Sequence, residues 1–325
     1  MKVLPIPYFW QNAGHIQTVT RALFSKESLP YKRERIDTPD GDFLDLDWYP
    51  GNQADGRPLF VFCHGLEGDS ASTYIPLTVR ALALHHSFQY LAWNYRGCSG
   101  ELNRRARFYH LGEIEDLTTV LRHARGRGFE RIVLVGFSAG GSIVLNFLGR
   151  RAEEAQALGI VAAAAISAPI DMEGCARQLE TPGSMFYNRR FCTSLAAKVQ
   201  AKAQRLGEDF PLDVTGLNQV QMLRAFDERI TAPLHGFASA AEYYARSSGL
   251  QYLPDLTVPT LLWAAKNDPF LSPSCHPKQA LTGAWPNVQG HFPGSGGHCG
   301  YALSDASVLL AAMRPGGFWA GRGLV

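Results

Sequence analysis

Hydrophobic positions along this chain fall into short continuous runs separated by stretches of helical period. Leu59–Cys63, Tyr90–Asn94, Ile132–Val135, Ile160–Ser167 and Val258–Ala265 are largely apolar without polar alternation, and Val288–Phe292 follows as a last strand. Runs of that length, rich in β-branched and aromatic residues, predict strands buried on both faces. Between them, Tyr74–His85 and Gly112–Arg125 read as helices. The second places Ile114, Leu117, Val120 and Leu121 on one face, with acids early and arginines late, as the helix dipole favours. Ile143, Val144, Phe147 and Leu148 recur at helical spacing after the Ile132–Val135 run. Earlier, Arg33–Asp37 and Phe43–Trp48 flank Pro39-Asp40-Gly41-Asp42, a turn sequence that predicts an antiparallel hairpin. Strands alternating with helices predict an α/β fold with a mostly parallel, doubly wound sheet.

The alternation stops between about Ala168 and Asp255. That stretch carries helix-like pieces, Arg189–Arg205 and Val220–Phe226, and aromatics such as Phe186, Tyr187, Phe191, Phe237, Tyr243 and Tyr244. A strandless segment between two core strands predicts an inserted helical cap. The expected organisation is therefore an N-terminal arm over 1–31 with a short helix at Asn12–Leu23, a core over 32–167 and 256–325, and a cap over 168–255. A closing helix is expected at Ser304–Met313. Most of the cap aromatics are expected simply to pack the cap onto the core.

Composition changes this picture only by exclusion. A chain of 325 residues with 46% hydrophobic and 18% charged residues is that of a globular protein with a sizeable core. A formal net charge of +2 gives no electrostatic case for nucleic acid or an anionic membrane surface. The start, with one lysine, two prolines and no long apolar stretch, is not expected to act as a secretory signal. Leu158–Ile170 is too short to span a bilayer. The six cysteines are scattered without a C-x-x-C pair, which suits free thiols in a reducing compartment. A cytoplasmic protein without an integral membrane segment is expected. No G-x-x-x-x-G-K-[ST] or G-x-G-x-x-G pattern occurs, and His298-Cys299 and Cys275-His276 lack ligand spacing, so no cofactor and no metal are expected.

The candidate chemistry begins at Gly136-Phe137-Ser138-Ala139-Gly140, between a buried strand and a helix. Strand, G-x-S-x-G and helix together form a nucleophile elbow, which holds the serine in a strained turn with its hydroxyl above the sheet. A serine hydroxyl needs a base. Of the downstream histidines, His235 falls in the cap, His276 precedes Pro277, and His291 lies inside a predicted strand. His298 alone ends a glycine-rich loop, Gly294-Ser295-Gly296-Gly297, beyond the last strand, where it can reach over the sheet edge. The orienting acid should end a core strand on the same edge. Asp268, after Leu261–Ala265 and before Pro269, is favoured, and Asp171 remains a competitor. For the oxyanion, the backbone N–H groups of Ala139 and Leu66 are the candidates. His64 is expected to hold its loop by hydrogen bonding.

His15-Ile-Gln-Thr18, His64-Gly-Leu-Glu-Gly68, Asn94-Tyr-Arg-Gly-Cys-Ser-Gly100 and Gly136-Phe-Ser-Ala-Gly-Gly141 run in order along the chain. They are followed by His235-Gly-Phe237, Tyr243-Tyr244, Asn267-Asp-Pro-Phe270 and Gly296-Gly-His-Cys-Gly300. This series resembles the α/β-hydrolase superfamily, and within it the YheT-like subgroup of bacterial hydrolases and their eukaryotic relatives. The resemblance implies a Ser138–Asp268–His298 triad and hydrolysis of carboxylic esters, with short-chain esters or monoacylglycerol-type lipids as substrates. The chain departs from many relatives at Ala139, where leucine is common, and at Asn267, where an acid is common; neither touches the triad. Acyl transfer or thioester cleavage would use the same residues, with an alcohol or thiol in place of water. A non-catalytic binding protein on this fold would be expected to lack a triad member. A serine at the elbow excludes the carboxylate-nucleophile chemistries. The His15–Thr18 and Arg96 motifs acquire no role from the sequence.

Overall fold

The computed structural model describes residues 13–24, 28–301 and 305–324. Eight strands make one sheet: β1 Lys32–Asp37, β2 Phe43–Tyr49, β3 Leu59–Cys63, β4 Gln89–Asn94, β5 Ile132–Phe137, β6 Ile160–Ile166, β7 Thr260–Trp263 and β8 Val288–His291. Their order is β1-β2-β4-β3-β5-β6-β7-β8. From β4 to β8 every neighbouring pair is parallel. The β1–β2 hairpin turns at Thr38–Asp42, and β2 joins β4 antiparallel, so the hairpin extends one edge of the sheet.

The central strands are buried end to end, which explains the unbroken hydrophobicity of β3 and β5 and the apolar middle of β4 between Gln89 and Asn94. Helix α1 spans Gly14–Phe24, α2 Tyr74–Ala83, α3 Glu115–Gly126 and α4 Ala139–Arg150. One face of the sheet buries Leu134 and Leu262 with Leu117 and Val120 of α3 and Ile143 and Phe147 of α4. The opposite face buries Val133, Val135 and Phe137 with Ile75, Val79 and Leu82 of α2 and with Leu309 and Met313 of the closing helix Asp305–Met313. Burying one such side chain contributes roughly 1.5–3 kcal/mol, so the two faces together hold the sheet rigid beneath the loops at its carboxyl edge.

Between β6 and β7 the chain is helical. Its longest piece, Met185–Leu206, begins four residues before the start expected from periodicity, after Ser184 turns its hydroxyl to the Pro269 carbonyl at 2.8 Å. The predicted helix at Val220–Phe226 shortens to Leu223–Phe226 and continues as a π-turn, Asp227–Thr231. These helices have a core of their own, including Cys192, Val199, Phe210 and Phe226. Of the predicted arm, residues 1–12 and 25–27 lie outside the described residues, as does Ser304 at the predicted start of the closing helix. Among the described residues, no helix is long and apolar enough to cross a membrane.

Candidate active site

Ser138 sits between β5 and α4 with φ 52° and ψ −119°, a region that L-residues avoid. The strain is held by its surroundings. Its N–H donates to the Ile166 carbonyl at 2.8 Å, and its carbonyl accepts from Gly141 at 2.9 Å. A Cβ on Gly136 would stand 2.5 Å from the Gly141 nitrogen, and one on Gly140 2.7 Å from the His64 carbonyl oxygen. Both glycines are thus required by close backbone approach at the turn.

His298 comes over the sheet edge from the loop after β8. The Ser138 hydroxyl donates to His298 Nε2 at 2.8 Å, and His298 Nδ1–H donates to Asp268 Oδ2 at 2.8 Å and Oδ1 at 3.1 Å. The Asp268 carboxylate follows β7, is fully buried, and accepts a further bond from the Phe270 N–H at 2.8 Å. The Phe270 ring stacks on the imidazole, centroids 4.0 Å apart and planes 22° apart. The structure therefore brings Ser138, His298 and Asp268 into one hydrogen-bonded line. Asp171 is engaged elsewhere: it caps the helix Met172–Leu179 through the Gly174 N–H at 3.0 Å and accepts from Ser274 at 2.5 Å. His276 donates to the Ala265 carbonyl at 3.0 Å, and His235, in the segment between β6 and β7, packs against His110 in the loop before α3.

The loop after β3 passes beside the serine; a Cβ on Gly65 would lie 3.3 Å from Ser138 Cβ. The N–H groups on either side of Leu66 are taken, Gly65 by the Tyr74 hydroxyl and Glu67 by the Tyr109 hydroxyl, each at 2.7 Å. Leu66 and Ala139 line the same cavity as Ser138 and His298, and no acceptor for their N–H groups is present among the described residues. His64 donates from Nδ1 to the Gly65 carbonyl at 2.8 Å and accepts the Tyr95 N–H at Nε2. Burial drives its pKa down to about 3, so it stays a neutral brace for this loop.

Glu67, in the left-handed region at φ 56°, fastens the loop to the helix Met185–Leu206. Its carboxylate accepts from Lys198 at 2.7 Å, Ser194 at 2.7 Å and Tyr109 at 3.0 Å. Sequence reasoning missed Glu67, Lys198 and both tyrosines. The one available signal was the glutamate inside His64-Gly-Leu-Glu-Gly68, whose partners lie 42 and 131 positions away.

The cavity above the serine, about 110 Å³, has walls that are mostly apolar, among them Leu111, Met172, Leu179, Phe191 and Phe270. Apart from Ser138 and His298, its polar lining comes from Asp227, Thr231 and the two tyrosines Tyr243 and Tyr244. Asp227 accepts from Thr231 at 2.6 Å and Tyr244 at 2.8 Å, and burial lifts its pKa to about 6. Among the described residues, no group of three or more His, Cys, Asp or Glu side chains could hold a metal ion.

Comparison with known proteins agrees with this architecture. The α/β hydrolase fold family matches residues 58–305. The chain belongs to that family. The YheT protein of Escherichia coli (strain K12), an esterase by assignment, is 36% identical over 292 residues, covering 88% of this chain and 84% of its own. The monoacylglycerol lipase of Saccharomyces cerevisiae is 30% identical over 227 residues, or 68% of this chain and 50% of the lipase. Among solved structures, an esterase of Pyrococcus furiosus aligns with a TM-score of 0.52 at 16% identity, over 84% of this chain and 85% of that one, a likeness of fold alone.

Proposed function

We propose that this protein is a serine hydrolase that cleaves carboxylic esters through an acyl-enzyme. Ser138 Oγ attacks the ester carbonyl carbon while His298 Nε2 takes its proton. Asp268 holds the imidazole with its proton on Nδ1 and stabilises the imidazolium; it does not itself accept the proton. The tetrahedral oxyanion is received by the Leu66 and Ala139 N–H groups, each worth about 2.7–4 kcal/mol where such donors have been removed in other enzymes. Collapse expels the alcohol, protonated by His298. Water then attacks the acyl carbon with His298 as base, and the acid leaves.

One observation carries this reading: an unbroken line from Ser138 to His298 to Asp268, ending at an apolar cavity. Apolar walls suit an acyl chain; of the relatives named above, one is an esterase by assignment and one a monoacylglycerol lipase, which supports carboxylic esters of monoacylglycerol type, and short-chain esters belong to the same proposed class. We read 168–255 as the cap that supplies most of those walls, and 32–167 with 256–325 as the catalytic core. A cytoplasmic location belongs to the same proposal, supported by six free cysteines of which five are buried.

The test is fluorophosphonate labelling beside turnover of p-nitrophenyl esters of increasing chain length. Wild type should label and turn over, and Ser138→Ala should do neither. A folded wild type that does neither refutes the proposal. For the acid, Asp268→Asn should lower kcat by about 10⁴-fold, through loss of the productive tautomer. Asp171→Asn should leave kcat within about threefold, because its partners belong to a helix cap and Ser274. The reverse result would transfer the orienting role to Asp171.

A further inference from the structure

His15-Ile-Gln-Thr18 lies on α1, far from the sheet in sequence, yet three consecutive N–H groups of the base loop are accounted for around it. The Gly296 N–H donates to Gln17 Oε1 at 3.0 Å. The Gly297 N–H donates to Asn267 Oδ1 at 3.0 Å, and Asn267 Nδ2 donates in turn to Gln17 Oε1 at 3.0 Å. The His298 N–H donates to Thr18 Oγ1 at 2.8 Å, while the same hydroxyl donates to the Gly14 carbonyl at 2.7 Å. Gln17 therefore bridges the loop that carries the base and the residue next to the acid.

The fit is tight as well as bonded. A Cβ on Gly297 would stand 2.6 Å from the Gly14 carbonyl oxygen and 2.9 Å from Thr18 Oγ1, and one on Gly300 2.7 Å from the Gln17 carbonyl oxygen. A second line reaches the imidazole itself. The His15 ring stacks on Tyr187, 5.8 Å between centroids with planes 8° apart. Tyr187 meets Phe270 edge-on at 4.5 Å, and Phe270 stacks on His298 at 4.0 Å.

A loop with glycines at 294, 296, 297 and 300 has more backbone freedom than a base can tolerate. Its order must come from outside the loop, and two of the three N–H bonds above go to side chains of α1, the third to Asn267, which Gln17 holds in turn. We propose that His15-Ile-Gln-Thr18 is a positioning element for the reaction: Thr18 and Gln17 fix the backbone at Gly296–His298, so that Nε2 stands in reach of the Ser138 hydroxyl. This inference rests on the reading of Ser138 and His298 as nucleophile and base. Neither Thr18 nor Gln17 touches the reacting atoms; they act through His298.

The experiment uses the full chain and a p-nitrophenyl ester. Thr18→Val keeps the side-chain shape and removes the acceptor; Thr18→Ser keeps the acceptor. The valine variant should lose about 10- to 100-fold in kcat and in the fluorophosphonate labelling rate, the scale of a misplacement of about 1 Å, with KM within about threefold. The serine variant should recover to within about threefold of wild type. Gln17→Met, which removes both acceptor contacts at once, should repeat the kcat loss without the KM change, and it decides the matter if Thr18→Val does not fold. In the downfield proton spectrum, the His298 Nδ1–H resonance should broaden or move in the valine and methionine variants and return in the serine variant. Wild-type labelling rates in the variants that fold, or a serine variant as impaired as the valine, would overturn the inference. Failure of the hydrolase reading looks different, because wild type itself would then neither label nor turn over.

Discussion

Two of the polar clusters on this sheet, those at Arg96 and at Ser138, are built on opposite terms. Around Arg96, which is 1% exposed, every guanidinium N–H is used: two bonds go to Asp116 at 2.7 Å, two to Asp40 at 2.9 and 3.1 Å, and one to Asp42 at 3.1 Å. Asp42 also accepts from the N–H groups of Phe43, Arg104 and Arg105 and from the Asn103 amide. Burial raises the Asp40 carboxyl, but the bonds and charge of Arg96, with help from Thr38, outweigh it and bring the pKa down to about 2. The cluster ties the β1–β2 turn to the start of α3 and to the loop at 103–105. At Ser138 the line of bonds instead ends in a hydroxyl that faces a cavity, with its backbone strained and two N–H groups beside it without an acceptor among the described residues. A cluster with no capacity left cannot take a reactant, and its energy goes into architecture. A line with an open end can take one.

That contrast sets the largest expected effect. Ser138→Ala removes only the open end, so kcat for p-nitrophenyl esters should fall on the order of 10⁶-fold, the scale found when a triad serine is deleted elsewhere. The urea midpoint should move by less than about 1 kcal/mol equivalent, because the lost hydroxyl makes one hydrogen bond, to His298. If stability fell along with activity, Ser138 would be an architectural residue like Arg96, and the comparison would fail.

The complementary substitution is Arg96→Met. It leaves Asp116 and Asp42 buried without their cation, which costs about 3–5 kcal/mol when one partner of a buried ion pair is removed. Urea unfolding should show that loss as a lowered midpoint. Activity per folded molecule, titrated with a fluorophosphonate, should stay within about threefold of wild type. A variant of normal stability but little activity would instead assign Arg96 to the site.

Much of this molecule was legible as pattern. Leu59–Cys63 and Ile132–Val135 declare themselves because strands buried on both faces are mostly apolar. Gly136 and Gly140 declare the elbow because side chains there would collide with the backbone. The approach of His298 to Ser138 could be expected from the glycines before it, and that of Asp268 to His298 from its place after β7. The grip on the His298 loop was not legible: Thr18 and His298 are 280 positions apart, and nothing local to either marks the bond. The same holds for Lys198 with Glu67 and for Arg96 with Asp40. Each is a polar side chain whose partner is chosen by tertiary approach, where periodicity carries no signal. The π-turn at Asp227–Thr231 escaped for a different reason, because its side chains read as ordinary helix and only its backbone bonding departs.

The smallest effect sharpens the comparison within one side-chain type. Asp227 shares the cavity with Ser138, but its bonds come from the neutral hydroxyls of Thr231 and Tyr244, and Arg224, bonded to Glu173 and Glu180, acts on it only through space. Burial therefore wins where it lost at Asp40, and the pKa rises from 3.8 to about 6. With the folded value above the unfolded one, the native state holds this proton more tightly. The benefit is full below about pH 4 and is lost as pH rises to about 6, after which it stays lost. A shift of about two units corresponds to about 3 kcal/mol, an upper figure for a side chain that keeps some surface in the cavity. Asp227→Asn abolishes this titration. The stability difference, variant minus wild type, should therefore climb by about 1–3 kcal/mol between pH 4 and pH 6 and then level off. Urea unfolding at unit steps from pH 4 to pH 8 measures it, and the other titrating groups cancel between the two proteins. A flat difference across that range would mean that Asp227 is as well compensated as Asp40. The cavity would then hold a stable carboxylate, and the division between saturated and open clusters would not extend to its walls.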